Sequence, residues 1–229
     1  MRNDLGHDYR VSLLFVSVGG FLESFTYVTR NQFFANSQTG NIARMGIFLA
    51  QGDFFRVIRF LIPVLSFVFG AWISIRLKAV LQKTSRFPLS YGQAITLTEI
   101  ILIAVIGFIP VGVLDVTATV LVSFVCAIQV SSFRHFGDNA FSSTMCTGNL
   151  RLATEELSKF KETGIRGHRR TAMQYFLIDI IFCLFASVGY WVTQYFAEHA
   201  AWFAVIPLFT LFIIFTIEKR RKLSNEIFV

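Results

Sequence analysis

The chain has 229 residues, of which 54% are hydrophobic and only 15% are charged. Soluble domains carry about 25% charged residues, so this composition excludes a disordered chain, a disulfide-bonded secreted scaffold and an ordinary soluble enzyme. The 27 phenylalanines and the net charge of +7 are instead typical of a multi-pass membrane protein. The odd number of cysteines, three, predicts free thiols and no bridges.

Six stretches are long and apolar enough to cross a membrane, which takes about 20 residues in a helix. They are Val11–Thr29, Val57–Leu77, Ala94–Pro110, Val116–Phe133, Tyr175–Tyr195 and Ala201–Ile217. Because the first stretch lacks a small-x-small cleavage site, we expect it to remain as a helix and not to be removed as a signal peptide. The prediction is an all-α membrane protein with one transmembrane domain, residues 1–229.

Two shorter segments, Phe33–Ala50 and Phe141–Leu157, are too polar at their centres to cross hydrocarbon as lipid-exposed helices. Irregular backbone at membrane depth requires shielding by protein or by water. We therefore predict that both segments are broken or re-entrant. Each contains the tripeptide Thr-Gly-Asn, as Thr39-Gly40-Asn41 and as Thr147-Gly148-Asn149.

The two tripeptides lie 108 positions apart, and other identities share this spacing. The pairs are Leu13 with Leu121, Ser24 with Ser132, Phe25 with Phe133, Asn31 with Asn139 and Phe33 with Phe141. Farther on, Gly70-Ala71-Trp72 matches Gly189-Tyr190-Trp191 at a spacing of 119. This self-similarity predicts an internal duplication, with repeats at about 11–90 and about 116–220.

Positive charge predicts the topology of the two halves. Lys and Arg concentrate at 76–86, at 158–170 and after Ile217, whereas the connections 110–117 and 197–200 contain none. Basic loops stay in the cytoplasm. If both broken segments return to the side they entered, all three basic regions and both termini are cytoplasmic, and the second half is inverted relative to the first. Arg56 and Arg59 oppose this topology, since they would face outside.

Several motifs resemble the YoaK-like (DUF 1275) family of uncharacterised bacterial integral membrane proteins. They are Gly20-Phe21-Leu22-Glu23-Ser24, the Phe-Ala-Asn lead into Thr39-Gly40-Asn41, Ala127-Ile128-Gln129, and Thr144 with Thr147-Gly148-Asn149. The family usually has Asp where this chain has Glu23. The resemblance implies a bacterial inner-membrane protein of about six spans, and it supplies no substrate.

The broken segments provide most of the candidate substrate-binding residues: Asn36, Thr39, Gly40, Asn41 and Arg44 in the first, and Thr147, Gly148, Asn149 and Arg151 in the second. We expect the two threonines to cap helices that resume near Ile42 and Leu150, whose N-termini would attract an anion. The two arginines would strengthen such a site, whereas a cation would use asparagine and carbonyl oxygens. The alternative is that both motifs only cap and pack buried half-helices.

Glu23 is the most informative single residue, because an ionisable group in a span is costly and implies a function. Its counterpart in the second repeat is Ser131, so the duplication leaves a single carboxyl. We predict that Glu23 couples transport to protons or sodium, or contacts the substrate. The alternative is a structural ion pair with Arg44 or Arg30.

Other polar residues of the spans have structural interpretations. Glu99 is expected to face water or Arg76, and Asp179 to pair with Arg170 or another helix. Gln129 is a candidate substrate contact that faces the bundle, and a helix–helix hydrogen bond would explain it equally well.

Enzyme motifs such as GxSxG, HExxH and the P-loop are absent from the sequence. We predict no catalytic activity, metal site, cofactor or nucleic-acid partner. The leading hypothesis is a secondary transporter or permease for a small solute, with anions among the candidates, in which the two Thr-Gly-Asn breaks meet at the midplane. The alternatives are a membrane scaffold or assembly protein and, third, an intramembrane enzyme. The expected partners are the bilayer, a small solute or ion, and a second copy in a homodimer.

Overall fold

A computed structural model describes residues 5–83 and 88–227. Its α-helices are α1 (Tyr9–Thr29), α2 (Gln38–Ala50), α3 (Phe54–Lys83), α4 (Tyr91–Ile106), α5 (Asp115–Ser132), α6 (Cys146–Thr163), α7 (Arg166–Phe196) and α8 (Val205–Ile227). Short 3-10 segments span Leu5–His7 and Ala197–Ala204, and a two-residue hairpin pairs β1 (His135–Phe136) with β2 (Asn139–Ala140). The predicted all-α class is confirmed.

Four helical stretches within the described residues are long and apolar enough to cross a membrane: Tyr9–Thr29, Phe54–Leu81, Asp115–Ser132 and Arg166–Lys222. The last of these has 57 residues and contains α7, the second 3-10 segment and α8. Helix α4 is a shorter apolar helix. Each of the six stretches predicted from the sequence therefore overlaps a helix.

The basic regions are more helical than the sequence suggested. Helix α3 continues through Arg76 and Lys78 to Lys83, whereas Arg86 lies outside the described residues. The predicted 158–170 loop is reduced to an elbow between α6 and α7, where Gly164 adopts a left-handed conformation with φ of 70°. Long basic side chains are good helix formers, so a high density of charge did not imply a loop.

Two contacts between α1 and α7 define their relative direction. The Tyr9 hydroxyl donates to the carbonyl of Gln174 at 2.9 Å. Farther along both helices, Gly20 lies against Phe182, whose carbonyl oxygen would be 2.3 Å from a Cβ at this position. Because the contacts advance along both helices together, α1 and α7 are parallel.

Helices α3 and α5 form the second parallel pair. The Ser66 hydroxyl donates to the carbonyl of Val120 at 2.8 Å, and the hydroxyls of Ser74 and Ser132 lie 2.8 Å apart. Helix α1 packs on α7, and α5 packs on α3. The first helix of each half of the chain, α1–α4 or α5–α8, therefore packs against a helix of the other half.

Helices α4 and α8 are antiparallel. The Gln93 amide donates to the Thr216 hydroxyl at 2.9 Å, and the Trp202 indole donates to the carbonyl of Ala104 at 3.1 Å. Since short connections join α4 to α5 and α7 to α8, helices α1, α4 and α7 run in one direction and α3, α5 and α8 in the other. We call the end where α1 begins and α8 finishes the terminal face.

Both polar segments turn back into the helix bundle. After α1, Asn31 and Gln32 adopt positive φ angles of 55° and 56°, which reverse the chain. The following residues run back along α1 until the Asn36 amide donates to the carbonyl of Gly19 at 2.8 Å. Helix α2 then returns toward the start of α3, where the rings of Phe48 and Phe60 stack 5.6 Å apart.

The second segment enters from the terminal face. Residues 141–145 follow the β-hairpin and run into the bundle, and α6 leads back out to the elbow at Gly164. We call residues 35–38 the first tip and residues 142–146 the second tip, because at these positions each chain changes direction. The two tips enter from opposite ends and meet beside Gly19 of α1.

Candidate functional site

The first tip is fixed to α1 by Asn36, whose side chain is fully buried. Its backbone N–H donates to Glu23 Oε2 at 3.0 Å, while its side-chain amide donates to the Gly19 carbonyl. Its side-chain oxygen accepts a hydrogen bond from the Cys126 thiol of α5. The predicted residues Glu23 and Asn36 therefore meet, and the carboxyl lies beside the segment that leads into α2.

Helix α5 holds the first tip from the other side. The buried Ser123 hydroxyl donates to the carbonyl of Ala35 at 2.9 Å. The Gln38 side chain donates to the same carbonyl at 2.8 Å. Two donors thus satisfy a carbonyl that irregular backbone leaves without a helical partner, as buried polar groups require. Ser123 and Gln38 were not among the predicted site residues.

The second tip is fixed by Gln129 of α5, which is 1% exposed. Its amide nitrogen donates to the Ser143 hydroxyl at 2.8 Å and to the Phe15 carbonyl at 3.0 Å. Gly19 permits the close approach of α1, since a Cβ there would lie 2.3 Å from the Ser143 carbonyl oxygen. Gln129 therefore makes the helix–helix bond and also orients the second tip.

The asparagines of the two Thr-Gly-Asn motifs have equivalent roles. The Asn41 amide donates to the carbonyl of Phe34 at 3.3 Å, and the Asn149 amide donates to the carbonyl of Ser142 at 2.9 Å. Both donors and both acceptors are related by the same 108 positions that separate the motifs. Each asparagine is buried and closes its tip by bonding the backbone seven residues earlier.

The threonine and glycine of each motif lie elsewhere than predicted. Helices α2 and α6 begin at Gln38 and Cys146, and their N-cap residues are Ser37 and Met145. The expectation that the motif threonines cap helices starting near residues 42 and 150 was therefore wrong. These motif positions, Thr39, Gly40, Thr147 and Gly148, lie within the first helical turns and are partly or fully exposed. The helices begin before the motifs, at Gln38 and Cys146, because no residue of either motif prevents helical backbone.

Asp179 of α7 belongs to the second tip. Its Oδ1 accepts from the Asn149 amide at 3.1 Å, whereas its Oδ2 is buried without a hydrogen-bond partner in the described part of the chain. The Cys146 thiol lies close to the same carboxyl and within electrostatic range of Glu23. The expected pairing of Asp179 with Arg170 is absent from the ion pairs of the described residues.

Glu99 of α4 is fully buried, and neither carboxyl oxygen has a hydrogen-bond partner among the described residues. The expectation that it faces water or Arg76 was therefore wrong, because the helix turns it toward the core and not toward the surface. Both Glu99 and Glu23 lie within electrostatic range of the buried Cys126 thiol. The interior thus holds a second acid that the sequence did not single out as functional.

The predicted arginines do not join the tips. Arg44 donates to the carbonyl of Gln32 at 3.0 Å and lies over the Phe60 ring, 5.6 Å from its centre. Arg151 pairs with Glu155 on the exposed face of α6. Neither is placed to neutralise an anion at Glu23, and Arg44 forms no ion pair with that carboxyl among those described.

Arg30 forms a buried ion pair at the end of the bundle opposite the terminal face. Its guanidinium is 3.0 Å from Asp115 Oδ1, and the two side chains are 0% and 5% exposed. It also donates to the carbonyls of Ile109 and Pro110, while the Asn31 amide donates to Asp115 Oδ2 at 2.7 Å. The structural alternative for Glu23, a pair with Arg30, was therefore wrong. Asp115 directly precedes the fourth predicted span, and this position was the signal in the sequence that could have identified the partner of Arg30.

The helices, the lipid-compatible surface and the buried polar tips together define a multi-pass membrane protein with two polar re-entrant segments. The chain belongs to the DUF1275 family, described as a protein of unknown function, whose family model matches residues 11–214. It is 24% identical over 229 residues to the UPF0700 transmembrane protein YoaK of Bacillus subtilis (strain 168), covering 95% of this chain and 97% of that protein. The resemblance inferred from the motifs is confirmed. No solved structure matches the chain.

Proposed function

We propose that the protein is a secondary transporter or permease for a small solute in the bacterial inner membrane. One observation carries this proposal: the two tips enter from opposite ends of the bundle and meet beside Gly19, one helical turn before Glu23, whose carboxyl accepts a hydrogen bond from the Asn36 backbone N–H. The start of a helix carries free N–H groups and a positive dipole end, which stabilise a carboxylate or an anionic ligand. Discontinuous helices that meet between repeats form the sites of many secondary transporters.

The helix directions support a six-span topology with inverted repeats. Helices α1, α3 and α4 run up, down and up, whereas α5, α7 and α8 run down, up and down. The exchanged packing of α1 on α7 and α5 on α3 is what a twofold axis in the membrane plane would produce. The basic ends of α3, the α6–α7 elbow and α8 share the terminal face, which supports a cytoplasmic location for that face and both termini.

Buried side chains lie between the tips and each end of the bundle. The Arg30–Asp115 pair lies at one end. At the other end, the Phe133 ring stacks on Phe15 at 4.0 Å and on Phe215 at 5.6 Å, which covers Gln129 from the terminal face. We assign this arrangement to an occluded state, from which transport opens one of the two closures at a time.

The unpartnered buried oxygens support a protonic or cationic coupling ion. Glu99 has two such oxygens, and Asp179 Oδ2 and Thr144 Oγ1 are also unpartnered among the described residues. Buried polar groups without partners require an explanation, such as a bound ion, water or proton. Protonation of the fully buried Glu99 or of the partly buried Glu23 would remove a charge from the bundle, which makes either acid suitable as a coupling group.

Uptake into proteoliposomes under an imposed pH gradient tests the proposal with a panel of small organic and inorganic anions. Glu23→Gln is expected to abolish gradient-driven uptake while leaving exchange at equal pH. Glu162→Gln, which removes an exposed acid on α6, is the matched control and should transport normally. Full gradient-driven uptake by Glu23→Gln would refute the coupling role.

A second candidate function is a membrane scaffold or assembly protein. Tight packing favours it, since Gly19 leaves no room for a Cβ against Ser143. The described cavities are lined by residues other than Glu23, Asn36 and Thr144. A scaffold predicts no uptake of any solute tested and one stable oligomer, such as the homodimer proposed above, in light scattering of the purified protein.

A further inference from the structure

A polar cavity of about 560 Å³ opens at the terminal face. Its walls come from the N-terminal 3-10 turn, α3, α4, the end of α5 and α8. The hydroxyls of Ser74, Tyr91 and Ser132 lie 2.8–2.9 Å from one another at its base. They join α3, α4 and α5, so the base of the cavity is held by three helices and does not depend on a loop.

The charges that line this cavity do not balance. Lys222 pairs with Glu218 at 2.6 Å, which neutralises one cation with one acid. Lys78 of α3 and Arg134, just after α5, also line the cavity, and neither forms an ion pair within residues 5–83 and 88–227. Two cations from different parts of the chain therefore line the same polar space, and neither has an ion-pair partner among the described residues.

His135, which also lines the cavity, lies in the same positive field. His7 and His135 stack with their ring centres 5.8 Å apart. Burial lowers the pKa of His135, and the nearby charges of His7, Arg134 and Lys78 lower it further. The backbone holds this pair in place, because the Gly137 N–H donates to the His7 carbonyl at 2.8 Å.

We propose that this cavity is a binding site for a small tetrahedral oxyanion, either free or carried by a lipid headgroup. Its volume lies within the range of about 300–1,000 Å³ found for small-molecule sites. Arg134 offers a planar fork of N–H groups suited to phosphate-like oxygens, and Lys78 of α3 adds a point charge. The residues that line the cavity include neither Glu23 nor either tip, so the site extends the proposed function and does not repeat it.

Equilibrium binding to the purified full-length protein tests the site, with radiolabelled sulfate and inorganic phosphate as probes at constant ionic strength. We expect saturable binding near one ion per chain, weakened about tenfold by Arg134→Gln and by Lys78→Gln, since each removes one charged contact. Arg76→Gln is the matched control, because Arg76 lies on the same helix as Lys78 but over the Trp72 ring, 5.5 Å from its centre. An equal loss in Arg76→Gln, or the absence of saturable binding of both ions and lipid, would overturn the proposal.

Reconstitution in nanodiscs with and without phosphatidylglycerol identifies the source of the anion. Lipid that wild type retains in native mass spectrometry and Arg134→Gln loses would assign the site to a headgroup, whereas binding of sulfate or phosphate alone assigns it to a free ion. Binding needs no gradient, so Glu23→Gln should still bind the ion. A lack of ion binding at this cavity and a lack of gradient-driven uptake are therefore independent results.

Discussion

Two Arg–Asp pairs in the protein have the same length and differ in burial, which allows a direct test of what burial does to an ion pair. Arg30–Asp115 and Arg56–Asp53 are each 3.0 Å long. The first pair is 0% and 5% exposed, and the second is 57% and 33% exposed. The test compares Asp115→Asn with Asp53→Asn, which remove the same charge from each pair with little change of shape.

The expected losses of unfolding free energy differ several-fold. Asp115→Asn leaves the Arg30 guanidinium buried, bonded to the carbonyls of Ile109 and Pro110 but without a counter-charge. Breaking a buried pair in this way costs about 3–5 kcal/mol. Asp53→Asn leaves Arg56 in solvent, where an exposed pair contributes about 0–1 kcal/mol.

Equilibrium unfolding in mixed detergent–dodecyl sulfate micelles measures both losses. A double variant, Arg30→Met with Asp115→Leu, is expected to be more stable than Asp115→Asn alone, because it removes both buried charges. The reasoning is refuted if Asp115→Asn is no more destabilising than Asp53→Asn.

Two further predictions follow from close packing and from pH. Gly19→Ala should lower the free energy of unfolding by about 1–3 kcal/mol, because the new Cβ meets the Ser143 backbone. Gly40→Ala should be neutral or stabilising, because a Cβ at that position has nothing within 4 Å. Equal melting temperatures of the two variants would contradict this. Hydrogen bonds from Lys159 and His168 lower the pKa of Glu156 in the folded protein. Ionised Glu156 should therefore add about 0.5–1 kcal/mol to the free energy of unfolding at any pH above the unfolded carboxyl pKa of about 4.3. This stabilisation should disappear as the pH falls through the lower pKa of the folded state. The difference in melting temperature between wild type and Glu156→Gln should therefore vanish in acid, and a constant difference would be evidence against the assignment.

The amino-acid sequence was sufficient to assign the class of the protein and its family. Runs of about 20 apolar residues are sufficient to predict membrane helices, because the bilayer imposes one length and one solvent on every segment that crosses it. The same argument identified the two polar segments as exceptions. The motifs around Glu23 and the two Thr-Gly-Asn tripeptides were enough to recognise the family that the comparison confirmed.

The identity of the polar residues that meet became apparent only in the folded bundle. Asn36, Gln129 and Asn149 were predicted as candidate substrate contacts, and their partners Gly19, Ser143 and Asp179 lie on other segments of the chain. A pattern within one segment shows that a polar group must be satisfied, but it does not show by which group.

Helix rotation and helix pairing account for the sequence predictions that were wrong. Arg44 lies over Phe60 because α2 packs on α3, and Arg30 pairs with Asp115 because the end of α1 lies beside the start of α5. Glu99 became a buried acid for the same reason. Periodicity fixes which residues share a helical face, whereas the neighbouring helix that covers that face is a property of the assembled bundle.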